Sequence, residues 1–594
     1  MQKSISVYEV QPLSTLSSIT QQVLGEVQAR RSAIQEFCPL AETLEWRLGQ
    51  QYFRERGTKA FTSDSMPVPF VINNDGSLSR RAAGVFFSAC ESHERGMALE
   101  SPIFVLELGI GLGLFARFFL DAFRDLCSER KKNYYDRLTY VCGDISERML
   151  LDVMRHGVLA NHAGKVKMRV VDAMSPQLLA SDLLFHGHGP KPFRAVFLNY
   201  VLDCLPVASL EMHGDTMKQL YVRTCVARGV DLKQHTDLTV EQLQERAKSS
   251  DPAVQQELLD VYGLFASEYD YRPVKAEELP YGEFAFDYCR RTTKKLLHNY
   301  GAIQSLEEVL NLTADDGFIL INDYGQTQSS REDDFEHQRF SLATAVGLNF
   351  SLLRTYFSDV DKKQWIAPAG DSRGIHSRLL GHKLDAETIS TFFEQFDDKN
   401  DALLQEPIAR ARLSLRAGRF ELAASYYRDA VKLQPSNWLL LAEVSQFLTF
   451  QMRDPKAGGD MAKLALSLNP TCSAELWNTL GDALYEGGRT QEAKSVYLKA
   501  LSLNSHDVRA RYNLAWVHTR ERDYPAALAS IAEAMSHDRT GEFRDRLLQK
   551  QQEVLALLAV KNQQEYLLLT NLVSKYAAAD KPEEKPPPLP QHSS

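Results

Sequence analysis

Three alternating glycines, Gly109, Gly111 and Gly113, are the residues of this sequence with the clearest chemical meaning. They follow the apolar run Ile103 to Leu106 and precede an apolar segment whose polar residues recur at helical spacing. Glycine lets the backbone turn tightly and approach a ligand closely. A helix that begins after such a turn directs its first free N–H groups at the ligand. The pattern predicts a buried strand, a glycine turn and a helix that together bind a nucleotide-like cofactor.

Acidic residues before the glycines and after the next strands are candidate ligands of this cofactor. Glu107 lies two residues before the first glycine, and Asp144 and Asp172 end the second and third predicted strands. A carboxylate at the position of Asp144 accepts hydrogen bonds from ribose hydroxyls in more than one cofactor class. Asp172 is predicted to accept a hydrogen bond from an adenine amino group. Ile145, packing on the adenine, and Ala173 complete the set.

The same residues allow two other interpretations. Gly111, Gly113 and Ala116 also fit the fingerprint of nicotinamide dinucleotide folds. In that fingerprint the acidic residue follows at about 20 residues, whereas Asp144 lies 35 residues after Gly109. An Asp or Ser at this strand end is also a candidate helix N-cap, a role that needs no cofactor.

A second polar cluster follows the fourth predicted strand and has the sequence N-Y-V-L-D-C-L-P, from Asn199 to Pro206. A later D-Y-G begins at Asp323. Together with E-L-G-I-G-L-G, which begins at Glu107, these motifs resemble the class I S-adenosylmethionine-dependent methyltransferases of the MidA and mitochondrial NDUFAF-seven-like family. The resemblance covers roughly residues 60 to 385.

This resemblance implies methyl transfer from S-adenosyl-L-methionine, with Asn199, Tyr200 and Asp203 lining the acceptor site. The mitochondrial members of the family are protein arginine methyltransferases, so the implied acceptor is an arginine side chain of a protein. The family has Glu at the position of Tyr200. Because a carboxylate orients a guanidinium and stabilises its charge, Asp203 is the remaining candidate for that task.

Each acceptor-site residue also has a purely structural interpretation, Tyr200 as a core aromatic and Asp203 as a turn or capping residue. Two functions of other classes therefore stay open beside the enzyme. One is a non-catalytic assembly factor with a degenerate methyltransferase domain, and the other is a nicotinamide-dependent oxidoreductase.

Alternating strands and helices predict a doubly wound parallel sheet with right-handed crossovers over residues 61–385. A long insertion at about 207–300 has a mostly helical pattern. Residues 1–60 are predicted to be a helical segment, because Ile19, Val23, Val27 and Ile34 recur at helical spacing. The segments Phe340 to Leu353 and His376 to Leu384 are candidates for the closing strands of the sheet.

Internal repeats with a period near 34 residues begin at about residue 404. An alanine of the second helix recurs at Ala430, Ala465, Ala500 and Ala534, at separations of 35, 35 and 34 residues. The pattern resembles the tetratricopeptide repeat, which implies an all-α superhelix over 404–541 that binds a peptide or partner protein. Capping helices are expected at 542–577 and a disordered proline-rich tail at 578–594.

The bulk properties exclude several classes of function. A net charge of −9 over 594 residues gives no electrostatic reason to bind nucleic acid. The 8 cysteines include no C-x-x-C pair, so neither a zinc ribbon nor any other metal site is predicted. Few cysteines and no recognisable signal sequence or membrane span predict a cytoplasmic protein. The sequence does not determine the oligomeric state.

Overall fold

The computed structural model of the protein describes residues 32–62, 75–99, 101–227, 230–292, 295–328, 337–340, 343–370, 374–470, 474–538 and 541–579. The chain divides into two compact units. The first runs to Leu440 and includes Leu468–Thr471, and the second contains Leu441–Ser467 and the residues from Cys472 onward. The helices predicted around Ile19, Val23 and Val27 and the tail from residue 580 lie outside the described residues.

The first unit is built on strands, which are numbered here in chain order. They are β1 Ala33–Pro39, β2 Ile103–Leu108, β3 Leu138–Asp144, β4 Val166–Val170, β5 Phe193–Asn199, β6 Ala208–His213, β7 Thr216–Val226, β8 Phe265–Pro273, β9 Lys295–His298, β10 Thr313–Asp323, β11 Gly325–Gln326, β12 His337–Phe340, β13 Ala343–Val346, β14 Leu348–Asn349, β15 Gln364–Ile366 and β16 His376–Gly381.

The central sheet has seven strands in the order β15-β16-β10-β5-β2-β3-β4. The five strands from β10 to β4 are parallel, and β16 is antiparallel to both of its neighbours. Every residue of β2 is buried, as expected for a strand covered by helices on both faces. The chain leaves β2 towards β3 and β4 and returns to β5 on the other side. This order confirms the predicted doubly wound fold and places its topological switch point between β2 and β5.

A second, antiparallel sheet corrects two sequence-based predictions. Strands β6, β7, β8 and β9 lie inside the insertion and pair with one another, and β1 pairs with β7. The insertion was predicted to be mostly helical, which is wrong for these four strands. The helical prediction for residues 1–60 is wrong for β1, which contains Ile34. The pairing of β7 with β1 and β8 joins segments distant in sequence, which overrides local helical spacing. The pairing of β6 with β7 is instead a local hairpin whose two connecting residues, Gly214 and Asp215, carry a turn signal.

The first unit also contains helices, most of which pack on the two sheets. They are Leu44–Arg56, Lys59–Thr62, Ser77–Gly96, Leu114–Glu129, Tyr134–Arg137, Glu147–Arg155, Val240–Lys248, Pro252–Val261, Gly282–Thr292, Tyr300–Leu312, Phe350–Thr355, Ala386–Phe396, Asp398–Arg416 and Phe420–Leu433. The strand predicted from His376 is confirmed as β16. The other candidate, Phe340 to Leu353, is not part of the central sheet, because β13 and β14 belong to two small separate sheets and a helix follows them. The second closing strand is β15 instead.

The remaining helices follow one another without strands. They are Trp438–Gln446, Pro455–Leu468, Ala474–Glu486, Thr490–Leu503, Val508–Arg520, Tyr524–His537 and Arg544–Ala579. The four repeat alanines predicted from the sequence are fully buried. At Gly481 a Cβ atom would lie 2.3 Å from Tyr497 Cε1, so paired helices approach too closely for a larger residue. Within the described residues, no helix has the length and apolar character needed to cross a membrane.

Candidate functional site

The glycine turn joins β2 to the helix Leu114–Glu129 at the switch point of the sheet. Gly109, Gly111 and Gly113 have positive φ angles of 73°, 53° and 74°, which residues with a side chain rarely adopt. The N–H groups of Gly109 and Ile110 donate to the carbonyl of Gly143, over 2.8 and 3.3 Å. The turn is therefore held against the end of β3.

The turn also leaves no room for side chains towards two neighbouring elements. A Cβ atom at Gly109 would lie 2.4 Å from Val201 Cγ2, in the loop that follows β5. A Cβ atom at Gly113 would lie 2.9 Å from Val153 Cγ1, on the helix that follows β3. The requirement for glycine at both positions thus comes from backbone conformation and from close packing.

Asp144 ends β3 beside the glycine turn. Its Oδ1 accepts a hydrogen bond from Ser146 N over 2.9 Å. Burial raises the pKa of Asp144 to about 6, although the backbone N–H groups of Ser146, Gly111 and Ile110 lower it. The N-cap of the helix Glu147–Arg155, the alternative role predicted for this strand end, is Ser146, whose Oγ accepts a hydrogen bond from Met149 N over 3.1 Å. The carboxylate of Asp144 therefore does not serve as the cap of this helix.

Glu107 is buried within β2 and is bonded to the strands on either side. Tyr140 Oη of β3 donates to its Oε2 over 2.8 Å, and Asn199 Nδ2 of β5 approaches its Oε1 at 3.5 Å. Burial raises the pKa of Glu107 to about 8, the charge of Asp144 adds to the effect, and the two hydrogen bonds oppose it. Glu107 is thus mainly protonated at neutral pH. It acts as a polar link inside the sheet.

The link continues through two residues that the sequence analysis did not include. Asn322 Nδ2 of β10 donates to Asn199 Oδ1 over 2.8 Å, and Ser377 Oγ of β16 donates to Asn322 Oδ1 over 2.7 Å. A polar chain therefore crosses five adjacent strands of the central sheet, β3, β2, β5, β10 and β16. The rule that polar residues at strand ends approach a ligand would have identified Asn322, which directly precedes the D-Y-G motif.

The loop after β5 holds Tyr200 in an unusual backbone conformation. Its φ angle is +54°, which is uncommon for a residue with a large side chain. Tyr200 N donates to Asn322 O over 3.0 Å, and its ring lies 6.4 Å from that of Tyr324. Burial and the charges of Asp323 and Asp203 raise the pKa of the Tyr200 hydroxyl, so it stays protonated at neutral pH. Outliers of this kind are concentrated at functional sites.

Asp203 and Asp323 form a buried carboxyl pair beneath this loop. Asp203 N donates to Asp323 Oδ2 over 3.3 Å, and Tyr324 N donates to Asp323 Oδ1 over 2.9 Å. Burial raises the pKa of Asp203 to about 6, with Cys204 and Tyr324 opposing the shift. Asp203 Oδ1 completes no hydrogen bond of normal geometry within the described residues. Burial and the neighbouring Asp203 raise the pKa of Asp323 well above its usual range.

The remaining predicted site residues lie at the ends of β3 and β4. Ile145 follows Asp144 and is half-buried. Asp172 is exposed, and its Oδ1 accepts from Met174 N in its own turn over 2.9 Å. Ala173 packs against the main apolar core. Since β4 is one strand further from the glycine turn than β3, Asp172 is more distant from the switch point than Asp144. The site roles of these residues stay predictions.

Comparison with known families gives one match to a methyltransferase model and two matches to tetratricopeptide repeat models. Residues 89–344 match the family model described as "putative S-adenosyl-L-methionine-dependent methyltransferase". Residues 408–437 and 478–539 match models of the tetratricopeptide repeat.

The curated relatives are similar over a short stretch. The peroxisomal targeting signal receptors of Candida glabrata and Kluyveromyces lactis are 40% identical over 85 and 77 residues. The first match covers 14% of this chain and 14% of the receptor, and the second covers 13% of each. The chain thus spans about one seventh of the length of the curated relatives it matches.

Solved structures resemble this chain with low TM-scores. A "likely methyl transferase" from Burkholderia thailandensis bound to S-adenosyl-homocysteine is 13% identical, with a TM-score of 0.37. The match covers 59% of this chain and 77% of that one. Yeast Tom70 is 16% identical with a TM-score of 0.25, over 32% of this chain and 39% of that one. The fold assignment rests on the strand order of the central sheet.

Proposed function

Because residues 89–344 match the model of this S-adenosyl-L-methionine-dependent methyltransferase family, we propose that the protein transfers a methyl group from that cofactor to a side chain of a protein. The observation that carries the proposal is the contact between the glycine turn and the loop after β5, where Val201 lies over Gly109. The residues proposed to hold the cofactor therefore adjoin those proposed to hold the acceptor.

The residues at the switch point fit the cofactor. The glycine turn offers a close backbone approach to the amino acid part. The carboxylate of Asp144, which already accepts from the backbone of the turn, is proposed to accept from the ribose hydroxyls as well. Glu107 fixes β2 to β3 and β5, and so fixes the start of the turn. When bound, S-adenosyl-L-methionine supplies an activated methyl group on a positively charged sulfur.

The loop after β5 is proposed to orient the methyl acceptor and to take up its proton. Tyr200, whose hydroxyl stays protonated, is suited to donate a hydrogen bond to an acceptor rather than to remove its proton. Asp203 has a pKa near 6, close to the neutral range in which a general base works best. Asn199 is bonded to Glu107 on one side and Asn322 on the other, which holds the start of this loop in place.

We propose an arginine of a partner protein as the acceptor. Asp203, with a pKa near 6, is mainly ionised at neutral pH, whereas its neighbour Asp323 holds its proton. The negative charge of Asp203, which acts on Tyr200, favours a cationic side chain. Asp203 would take the part of the glutamate that the resembling family has at the position of Tyr200. The tetratricopeptide repeats are proposed to recruit the protein that carries this arginine, since stacked repeats form binding surfaces for peptides and proteins.

One labelling experiment tests this function. The protein is incubated with a cell lysate and S-adenosyl-L-methionine labelled in its methyl group, and mass spectrometry identifies the modified protein and residue. We expect label on an arginine, and no label with the matched Asp144→Ala variant. Label on another residue type would contradict the arginine acceptor only.

Calorimetry with both cofactors, together with the labelling experiment, separates the two alternative functions. Binding of S-adenosyl-L-methionine without methyl transfer to any lysate protein would favour a non-catalytic assembly factor. Tight binding of a nicotinamide dinucleotide, with no binding of S-adenosyl-L-methionine, would overturn the proposal in favour of an oxidoreductase.

A further inference from the structure

Phe61 lies against the glycine turn, although its position in the sequence gives no sign of this. It belongs to the short helix Lys59–Thr62 and is half-buried. A Cβ atom built on Gly111 would lie 3.8 Å from Phe61 Cζ and 4.0 Å from Cε2, an ordinary van der Waals separation. The two other glycines face the loop after β5 and the helix after β3, so Phe61 closes a third side of the turn.

We infer that the Phe61 ring is a wall of the cofactor site and recognises the positive charge of S-adenosyl-L-methionine. This inference rests on the proposed function. In the resembling methyltransferases the glycine turn lies under the amino acid part of the cofactor, next to the charged sulfur. A ring that packs on Gly111 is therefore placed at the charged end of the cofactor rather than at its adenine.

The backbone around Phe61 is fixed to the helix that begins after Asp144. Thr58 N and Thr58 Oγ1 both donate to Asp152 Oδ2, over 3.3 and 3.2 Å. At Gly57 a Cβ atom would lie only 2.5 Å from that same oxygen, so the segment is packed tightly on Asp152. These contacts hold Phe61 at a set distance from the glycine turn.

A second attachment lies on the other side of Gly57. Ser146 Oγ donates to the carbonyl of Arg54, at the end of helix Leu44–Arg56, over 3.1 Å. That helix is buried in an apolar core that it shares with the insertion. The ring is thus presented by a supported element, which is what recognition of a ligand requires.

The chemistry of an aromatic wall leads to a specific expectation. An aromatic face attracts a cation, and this attraction corresponds to a factor of about 2 to 30 in affinity. The product, S-adenosyl-homocysteine, has lost the methyl group and with it the positive charge on sulfur, while both compounds keep the charged amino group. Phe61 should therefore strengthen binding of the substrate form more than binding of the product form.

Calorimetric titration of the full-length protein with both compounds tests the inference. For Phe61→Leu we expect S-adenosyl-L-methionine to bind about 3- to 10-fold more weakly and S-adenosyl-homocysteine to change by less than about 2-fold. The matched control is Phe53→Leu. Phe53 belongs to the adjoining helix Leu44–Arg56, and its ring centroid lies 6.1 Å from that of Phe61. Phe53→Leu therefore disturbs the packing behind Phe61 but keeps the Phe61 ring, and it should leave the ratio of the two affinities unchanged.

Three outcomes would overturn the inference: unchanged binding in Phe61→Leu, an equal loss for both compounds, or the same altered ratio in Phe53→Leu. Phe61→Trp guards against a misfolded leucine variant, because tryptophan is the strongest cation-binding ring and should preserve or increase the preference for S-adenosyl-L-methionine. A folded tryptophan variant with a reduced preference would also overturn it. Failure of the unmodified protein to bind S-adenosyl-L-methionine would instead overturn the proposed function.

Discussion

Asp144 is the side chain on which cofactor binding should depend most. We expect Asp144→Ala to abolish measurable binding of S-adenosyl-L-methionine in calorimetry, because the ribose hydroxyls lose their acceptor. Since burial raises the pKa of Asp144 to about 6, the affinity of the unmodified protein should fall as the pH drops below 6. Asp144→Asn should bind weakly and without this pH dependence. Undiminished affinity in Asp144→Ala would place the ribose site elsewhere.

Glu107 should make the stability of the first unit dependent on pH. Its pKa is raised to about 8 in the folded protein, against 4.5 for a free carboxyl, so the folded form binds the proton more tightly. The corresponding stability is fully present below pH 4.5 and is lost as the pH rises towards and through 8. The expected slope is about 1.4 kcal/mol per pH unit for one proton.

Glu107→Gln isolates this contribution, since glutamine keeps the shape and stays neutral. We expect the variant to be less sensitive to pH and to be more stable than the unmodified protein above pH 8. Thermal unfolding at pH 5, 6.5 and 8.5 measures the difference. If the melting temperatures of the two proteins change by the same amount over this pH range, Glu107 does not have the raised pKa that its burial predicts.

Two glycines of the same turn should respond differently to alanine. Within the protein, Gly111→Ala adds backbone strain alone, about 1 to 2 kcal/mol, because the nearest atom of Phe61 leaves room for a methyl group. Gly109→Ala adds the same strain and also a 2.4 Å approach to Val201, so it should reduce the melting temperature more.

A double variant separates strain from packing. Val201→Ala should partly rescue Gly109→Ala, because it removes the colliding Cγ2 atom, and should not rescue Gly111→Ala. Melting temperatures of the unmodified protein, the three single variants and the two double variants supply the coupling between the positions. Equal effects of the two glycine substitutions would contradict the packing seen around Gly109.

The elements of the central sheet were largely predictable, because buried strands and glycine turns have strong local signals. The polar chain that crosses the sheet was not, since the contact between Asn199 and Asn322 depends on β10 lying beside β5. The same holds for Phe61, which reaches Gly111 through the tertiary fold. In the second sheet, the pairing of β7 with β1 and β8 was not predictable, because these strands are distant in sequence. The β6–β7 hairpin was predictable from its Gly214-Asp215 turn.

The two units should carry separable tasks, cofactor binding in the first and partner binding in the second. Gly481→Ala would place a Cβ atom 2.3 Å from Tyr497 and so loosen one repeat. We expect faster hydrogen exchange in the helices Ala474–Glu486 and Thr490–Leu503, weaker capture of partner proteins and an unchanged affinity for S-adenosyl-L-methionine. Loss of cofactor affinity in this variant would contradict the division of tasks. The cytoplasmic location stays a prediction from the sequence.

The polar chain from Tyr140 through Glu107, Asn199 and Asn322 to Ser377 has a consequence for how this protein evolves. Replacing any one of the five by an apolar residue would leave a donor or acceptor of a neighbouring residue buried without a hydrogen bond. This would lower the free energy of unfolding by about 1 to 3 kcal/mol. Exchanging adjacent partners together is far less costly. In related sequences these five positions should therefore covary, with linked substitutions on different strands. Apolar neighbours such as Val141 and Leu198 should be substituted independently.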